Sequence, residues 1–166
     1  NPLGTAIGYN AYSQDRLIGH YACVPCTWTQ GDATYKVLLS LNTAIDPAFQ
    51  RRGIFSTLAK QTYDLAKELE YDFVYGISNG NSTYGFYKLG FEILGPLYLQ
   101  TAFCRQVVIN SDKMTENSLS NALSGEFLNW RLQRPFTRYH KQGARIISNP
   151  QNMVVNFASN LMANTA

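Results

Sequence analysis

Alternating apolar and polar positions dominate the first third of the chain. Thr5 to Ser13, TAIGYNAYS, predicts a strand, and Gln14-Asp15 marks a turn. Arg16 to Thr29 predicts a second, longer strand, so the two make a hairpin. Pro25 lies inside that run; having no N–H to give a ladder, it should end or kink the strand or hold an edge position. Gly31-Asp32 is another turn signal, and Tyr35 to Ile45 predicts a third strand that breaks at Asp46-Pro47. The spacing then changes. Ile54, Leu58, Leu65 and Leu69 recur at helical intervals beside Phe55, Ala59 and Ala66, while Lys60, Asp64, Lys67 and Glu68 remain available to water. This predicts a helix with one buried face, opening at Gly53. Tyr71 to Ser78 predicts a strand that, with a helix before it, runs parallel to the third. Asn79 to Ser82 form a polar turn, Thr83 to Leu89 a short helix stopped by Gly90, and Phe91 to Cys104, interrupted by Pro96, one or two more strands.

Beyond Cys104 the pattern weakens. Ser111 or Thr115 can cap a helix running to Leu132, with Leu119, Leu123, Phe127 and Trp130 as its apolar stripe. Ala144 to Ser148 and Met153 to Phe157 read as strands. The expected division is a core over residues 1–104 and a C-terminal segment over 105–166.

The junction from Ile45 to Leu58, IDPAFQRRGIFSTL, carries the first chemical signal. A strand that turns directly into a helix leaves backbone N–H groups unpaired at the positive end of the helix dipole, where an anion binds. Gly53 has no side chain to hold a ligand off that backbone, and Arg51 and Arg52 add positive charge. Each contact of a negative group with a helix start contributes roughly 0.3 to 1 kcal/mol, so a polyphosphate touching several N–H groups gains usefully.

Gln50, Arg51, Arg52, Gly53, Ile54 and Phe55 resemble the acyl-CoA pyrophosphate loop of the GNAT acyltransferase superfamily, whose pattern is Gln or Arg, two residues, Gly, one residue, then Gly or Ala. Phe55 departs from the final small position. Asn79 to Phe91, NGNSTYGFYKLGF, resembles a second GNAT segment, in which an asparagine opens a helix ending in Leu-Gly-Phe. Together the two motifs span Arg16 to Leu99. The resemblance implies an α+β fold around a mixed sheet, with antiparallel strands first, two central parallel strands splayed apart, and helices on both faces. It implies transfer of an acetyl or other short acyl group from CoA to an amine of a small molecule or sugar, with acetyl-CoA as donor. Backbone groups from Arg51 to Phe55 would hold the pyrophosphate, and the main chain near Ala44 and Ile45 would pair with pantetheine. Asn79, with Ser82 closing the same turn, would contact the cofactor arm. Some long bacterial members carry two lobes, and the tail either resembles the entrance to a second one or is a plain C-terminal extension packing on the domain; a further lobe or a homodimer is a candidate partner. The competing function is a degenerate domain that binds acyl-CoA, or packs on a partner lobe, without catalysis.

Proton transfer is less well supplied. Aligning Leu89-Gly90-Phe91 puts Phe86 where many members carry the tyrosine that donates to the leaving thiolate, and phenylalanine cannot donate. Tyr87 is the nearest substitute, turned about 100° around the helix. Where some members place a glutamate on the third strand, this chain has Leu39. Histidine is the residue type whose unperturbed pKa suits a general base, and His20 shares a strand face with Ile18 and Ala22; it is a base or substrate contact if that face lines a cleft, and a structural histidine otherwise.

Totals narrow the alternatives. A chain of 166 residues suits one domain with a proper core or one and a half small ones. The net charge of +3 is too mild to make nucleic acid or an anionic membrane the main partner. No apolar run is long enough to span a bilayer and no signal-peptide pattern opens the chain, so a cytoplasmic location is expected. Cys23, Cys26 and Cys104 are an odd number and make no disulfide framework. The C-x-x-C of Cys23 and Cys26 lies in a strand, not at a helix start that would stabilise a thiolate. With only His20 and His140 to join them, the cysteines do not complete a zinc site.

Overall fold

Strand β1 (Ile7–Ser13) and strand β2 (Arg16–Gln30) form the expected hairpin, with Ser13 opposite Arg16. Gln14 and Asp15 both have positive φ, 47° and 63°, the backbone that a two-residue turn matching the strand twist demands. The computed structural model describes residues 1–97, 119–122, 124–133, 138–142, 145–149 and 159–165. Pro25 neither ends nor kinks β2. Its carbonyl accepts from Asn1 Nδ2 at 2.7 Å, on the edge where β1 has already finished opposite Cys23, so the missing N–H falls where no strand pairs.

Strand β3 (Ala33–Ile45) runs antiparallel to β2, and helix α1 (Ile54–Glu68) leads to strand β4 (Phe73–Asn79), which pairs parallel with β3 as expected. Helix α2 (Thr83–Lys88) ends on Gly90, whose φ of 84° allows Phe91 N–H to reach Phe86 C=O at 3.1 Å and Gly90 N–H to reach Tyr87 C=O at 3.0 Å. Strand β5 (Glu92–Leu97) follows. A two-residue strand β6 (Ser120–Asn121) pairs with Trp28–Thr29 of β2. Helix α3 (Gly125–Leu132) and a hairpin of β7 (Arg138–Gln142) and β8 (Arg145–Asn149) come next. The last strand, β9 (Ser159–Thr165), inserts between β4 and β5, antiparallel to both. The resulting mixed sheet has the order β1-β2-β3-β4-β9-β5.

The tail differs from its sequence reading: strands β6, β7 and β9 stand where no strand is expected. The helix expected from Ser111 or Thr115 begins only at Gly125; Ser120 and Asn121 are extended because they pair with β2. Positions 111–118, Leu123 and the expected strand Met153 to Phe157 lie outside the described residues, as does Cys104.

Helix α1 has no side-chain N-cap, since Gly53 holds that position, and a 15-residue helix is marginal alone. Packing holds it. Leu58, Ala59, Tyr63 and Ala66 bury against Tyr21, Cys23, Leu38 and Val74, with Phe86 and Phe91 completing the core. The other face of the sheet carries a smaller cluster of Cys26, Trp28, Val37 and Tyr75. Cys23 and Cys26 thus belong to opposite faces, which the period of two requires of residues three apart.

Candidate functional site

Strands β3 and β4 stay paired only from Val37 opposite Phe73 to Ser40 opposite Gly76. Past that point both continue, β3 to Ile45 and β4 to Asn79, without pairing to each other. A bulge accompanies the parting: Asn42 has φ 50°, and the β2–β3 register shifts between His20 and Ala22, so β3 carries extra residues where it leaves β4. Leu41 to Ala44 are exposed. The outcome is an open main-chain edge along the end of β3, leading to the start of α1.

Asp46 fixes the turn between them. Its backbone N–H donates to Ile18 C=O at 2.9 Å and its Oδ1 accepts from Ala48 N–H at 2.9 Å, while Oδ2 pairs with Arg16. Pro47–Phe49 form one 3-10 turn, and Gln50 Nε2 reaches back to Ile45 C=O at 3.1 Å, so this side chain braces the loop. Arg51 and Gly53 both adopt positive φ, 61° and 79°. A Cβ at Gly53 would meet nothing within 4 Å, so the backbone there faces open space. The first bond of α1 runs from Thr57 N–H to Gly53 C=O at 3.0 Å, leaving the N–H groups of Ile54, Phe55 and Ser56 without intrahelical acceptors. Arg51 and Arg52 are exposed, the latter with its guanidinium 5.1 Å from the Phe49 ring centroid.

The Phe55 side chain turns away from this opening. Its ring meets Tyr21 edge-on at 5.8 Å and Phe86 at 5.5 Å, and a Cβ at Gly85 would come within 2.9 Å of its Cε1. The absent side chain at Gly85 therefore makes room for a large residue at the last position of the loop. This contact also brings the start of α1 beside α2.

The turn before α2 is internally satisfied. Asn79 Oδ1 accepts from Asn81 N–H at 3.0 Å and Ser82 N–H at 3.1 Å, and Ser82 Oγ accepts from Asn79 N–H at 3.0 Å. Asn79 and Ser82 hold each other in a turn that opens α2. Phe86 is buried against Phe55 and Phe91, while Tyr87 and Tyr84, three apart on the helix, are exposed, with Lys88 over the Tyr84 ring.

His20 lies half-buried on the sheet face away from α1, opposite Ala44, with its Nδ1 2.6 Å from Asn10 Oδ1. Where Nδ1 donates to the asparagine oxygen, Nε2 is left as the acceptor nitrogen. It is thus a cross-strand neighbour of the open segment of β3. The face toward α1 holds a group that sequence reasoning missed. Tyr21 OH lies 2.8 Å from Ser40 Oγ and 2.7 Å from Tyr63 OH, all three buried. Burial pushes both phenols above their ordinary range, and pushes the Cys23 thiol up to about 12. The Cys26 thiol is raised for the same reason. Buried, protonated thiols on opposite faces do not make a redox pair. Among the described residues no cluster of His, Cys, Asp and Glu could hold a metal ion, and no helix is long and apolar enough to cross a membrane.

A family profile described as an acetyltransferase (GNAT) domain matches residues 4–94. Comparison with curated proteins finds no match. Among solved structures, an IAA acetyltransferase from Bacillus cereus ATCC 14579 is 13% identical, with a TM-score of 0.52 over 97% of this chain and 78% of that one. A GNAT family acetyltransferase from Elizabethkingia anophelis, solved with acetyl-CoA bound, is 17% identical, with a TM-score of 0.51 over 95% of this chain and 74% of that one. Eis1 from Mycobacterium abscessus is 18% identical with a TM-score of 0.48, and the match covers 52% of this chain but only 22% of Eis1, so the chain spans about a fifth of that protein's length. These likenesses are of fold. With the profile match covering more than half of the sequence, and with a mixed sheet whose central parallel strands part before a glycine-opened helix, the chain belongs to the GNAT acetyltransferase family.

Proposed function

We propose that this chain transfers an acetyl or other short acyl group from CoA to an amine of a small molecule or sugar. The observation that carries the proposal is the parting of β3 from β4 beyond Ser40 and Gly76, which opens an unpaired strand edge directly beneath the free N–H groups of α1. In this reading Arg51, Arg52, Gly53, Ile54 and Phe55 receive the pyrophosphate through their backbone, with Gln50 bracing the loop. Ala44 and Ile45 offer main-chain groups to the pantetheine amides. Asn79 and Ser82 border the arm from the far strand. His20, through Nε2, is the candidate base for the amine, and Tyr87 the candidate side-chain acid. The chemistry is direct attack of the amine on a held thioester, in which positioning supplies much of the rate. Residues 1–97 and 159–165 act as one unit in this proposal, because β9 pairs with both β4 and β5. The cytoplasm is the proposed setting.

Gly53→Glu tests the cofactor assignment. A side chain and a negative charge at this open, positive-φ position should abolish CoA binding in calorimetry, and unchanged affinity would sink it. Free-thiol release from acetyl-CoA with a panel of amines tests turnover. A second reading, binding without catalysis, is favoured by Leu39 and Phe86 at the positions where the family pattern has a base and an acid; binding with no release across a broad panel would establish it.

A further inference from the structure

The three buried hydroxyls stand where the sheet opens. Ser40 is the last residue of β3 paired to β4, its partner is Gly76, and the two strands separate immediately beyond. A Cβ on Gly76 would lie 3.2 Å from Ser40 Cβ and 3.7 Å from its Oγ, so the bare glycine leaves the flank of the serine open. Ser40 is 8% exposed, whereas Tyr21 is fully covered. Each hydroxyl belongs to a different element, Ser40 to β3, Tyr21 to β2 and Tyr63 to α1.

Counting protons leaves the cluster one to spare. Three hydroxyls carry three protons, and the two contacts among them, at 2.8 and 2.7 Å, consume two. If Tyr63 donates to Tyr21 and Tyr21 to Ser40, the Ser40 proton is left over to donate outward. Ser40 faces Cys23 and Ile45 faces Gly19, so with its bulge the strand advances only about 13 Å between them, four steps of β2. A pyrophosphate at the start of α1 with its arm laid back along β3 carries its sulfur toward Ser40.

We propose that the Ser40 hydroxyl, polarised by Tyr21 and Tyr63, donates a hydrogen bond to the sulfur as it leaves the thioester. This rests on the CoA reading above and assigns the stabilisation of the leaving group, which Phe86 cannot supply. The amine nitrogen bonds to the carbonyl carbon, the C–S bond breaks with its electron pair on sulfur, and the proton given up by nitrogen is the one that sulfur finally holds. Ser40 keeps its own proton. Burial raises Tyr21 and Tyr63, so both remain protonated donors and no proton need travel along the chain. Ser40 is then a catalytic residue, and Tyr21 and Tyr63 position it.

Titration of bound CoA tests this without requiring turnover. CoA labelled with carbon-13 beside its sulfur is added to the wild-type chain, to Ser40→Ala and to Tyr21→Phe, and the thiol is titrated by NMR. A donor to the thiolate lowers its pKa, so the thiol on the wild type should titrate about one pH unit below that on Ser40→Ala, a tenfold difference in acid dissociation. Tyr21→Phe should fall between them. Equal titration in all three overturns the inference while leaving CoA binding intact. Failure of CoA to bind the wild type overturns the CoA reading and this inference together. Should Ser40→Ala not fold, Tyr21→Phe decides alone, and no shift there overturns the assignment.

Discussion

Adding one methyl group at Gly85 should be destabilising while Phe55 is present and stabilising once it is removed. The Cβ would stand 2.9 Å from Phe55 Cε1 and 3.4 Å from Cδ1, closer than carbon atoms pack. The ring cannot simply swing aside, because Tyr21 and Phe86 hold it edge-on from two directions. Overpacking of this kind costs about 1 to 3 kcal/mol. Against it, alanine is better than glycine inside a helix by about 1 kcal/mol. Gly85→Ala should therefore lower stability by about 0 to 2 kcal/mol. In a Phe55→Ala background the clash is gone and only the helix preference remains, so the same change should raise stability by up to about 1 kcal/mol. Urea unfolding of the four chains in a double-mutant cycle measures the difference, expected as a coupling of about 1 to 3 kcal/mol. An identical effect of Gly85→Ala in both backgrounds would refute the idea that Gly85 makes room for Phe55.

Two further outcomes test the buried chemistry. Stability should decline as pH rises from about 9, because the Cys23 thiol goes from an ordinary value of 9.0 to about 12 in the fold: the unfolded chain loses its proton first, so the contribution is complete below 9 and lost as pH climbs through 12. Between those limits the loss is about 1 kcal/mol per pH unit for each such group, Tyr21 and Tyr63 acting in the same sense at higher pH, and Cys23→Ser should flatten the slope seen in denaturant midpoints. Phe86→Tyr, which restores the residue type of the family pattern, should reduce stability by about 1 to 3 kcal/mol by burying a hydroxyl between Phe55 and Phe91, with no gain in thiol-release rate; a faster, equally stable variant would show that this ring ends in the cleft.

Most of the chain up to residue 97 was legible because its signals are local. The period of two specified β1 to β3, the change to helical spacing specified α1, and the intervening helix made β4 parallel to β3. Gly90 stopped α2 as its position implied. What could not be read depends on partners distant in sequence. Ser120 and Asn121 are extended only because Trp28 and Thr29 offer a free edge, and β9 gains its place between β4 and β5 from pairing that no local pattern encodes. The bulge at Asn42 was unsigned, since asparagine tolerates positive φ without requiring it. At the site, the loop motif could be read because it is contiguous. The Ser40, Tyr21 and Tyr63 cluster was not, because it is assembled from three elements, although Tyr21 and Ser40 sit close in register, near the pair of Cys23 with Ser40.

The two departures from the family pattern are a single contact. Phe55, large where the loop ends in a small residue, and Phe86, lacking a hydroxyl where a tyrosine is common, meet at 5.5 Å over the space left by Gly85. Read one at a time along the sequence, they suggest a weakened cofactor loop and a lost acid. Joined in the core, they describe one repacking of the α1–α2 junction, in which an aromatic pair replaces a polar group that would have needed a partner there. The repacking leaves the cofactor signal untouched, because the N–H groups of Ile54, Phe55 and Ser56 point along α1 whatever the Phe55 ring does. On the proposed chemistry it removes a donor near the leaving sulfur. Ser40 is a buried hydroxyl at the point where β3 and β4 part, and on the proposal that it donates to the leaving sulfur the Phe86 change has a chemical consequence and the Tyr21–Tyr63 pair a reason to be polar.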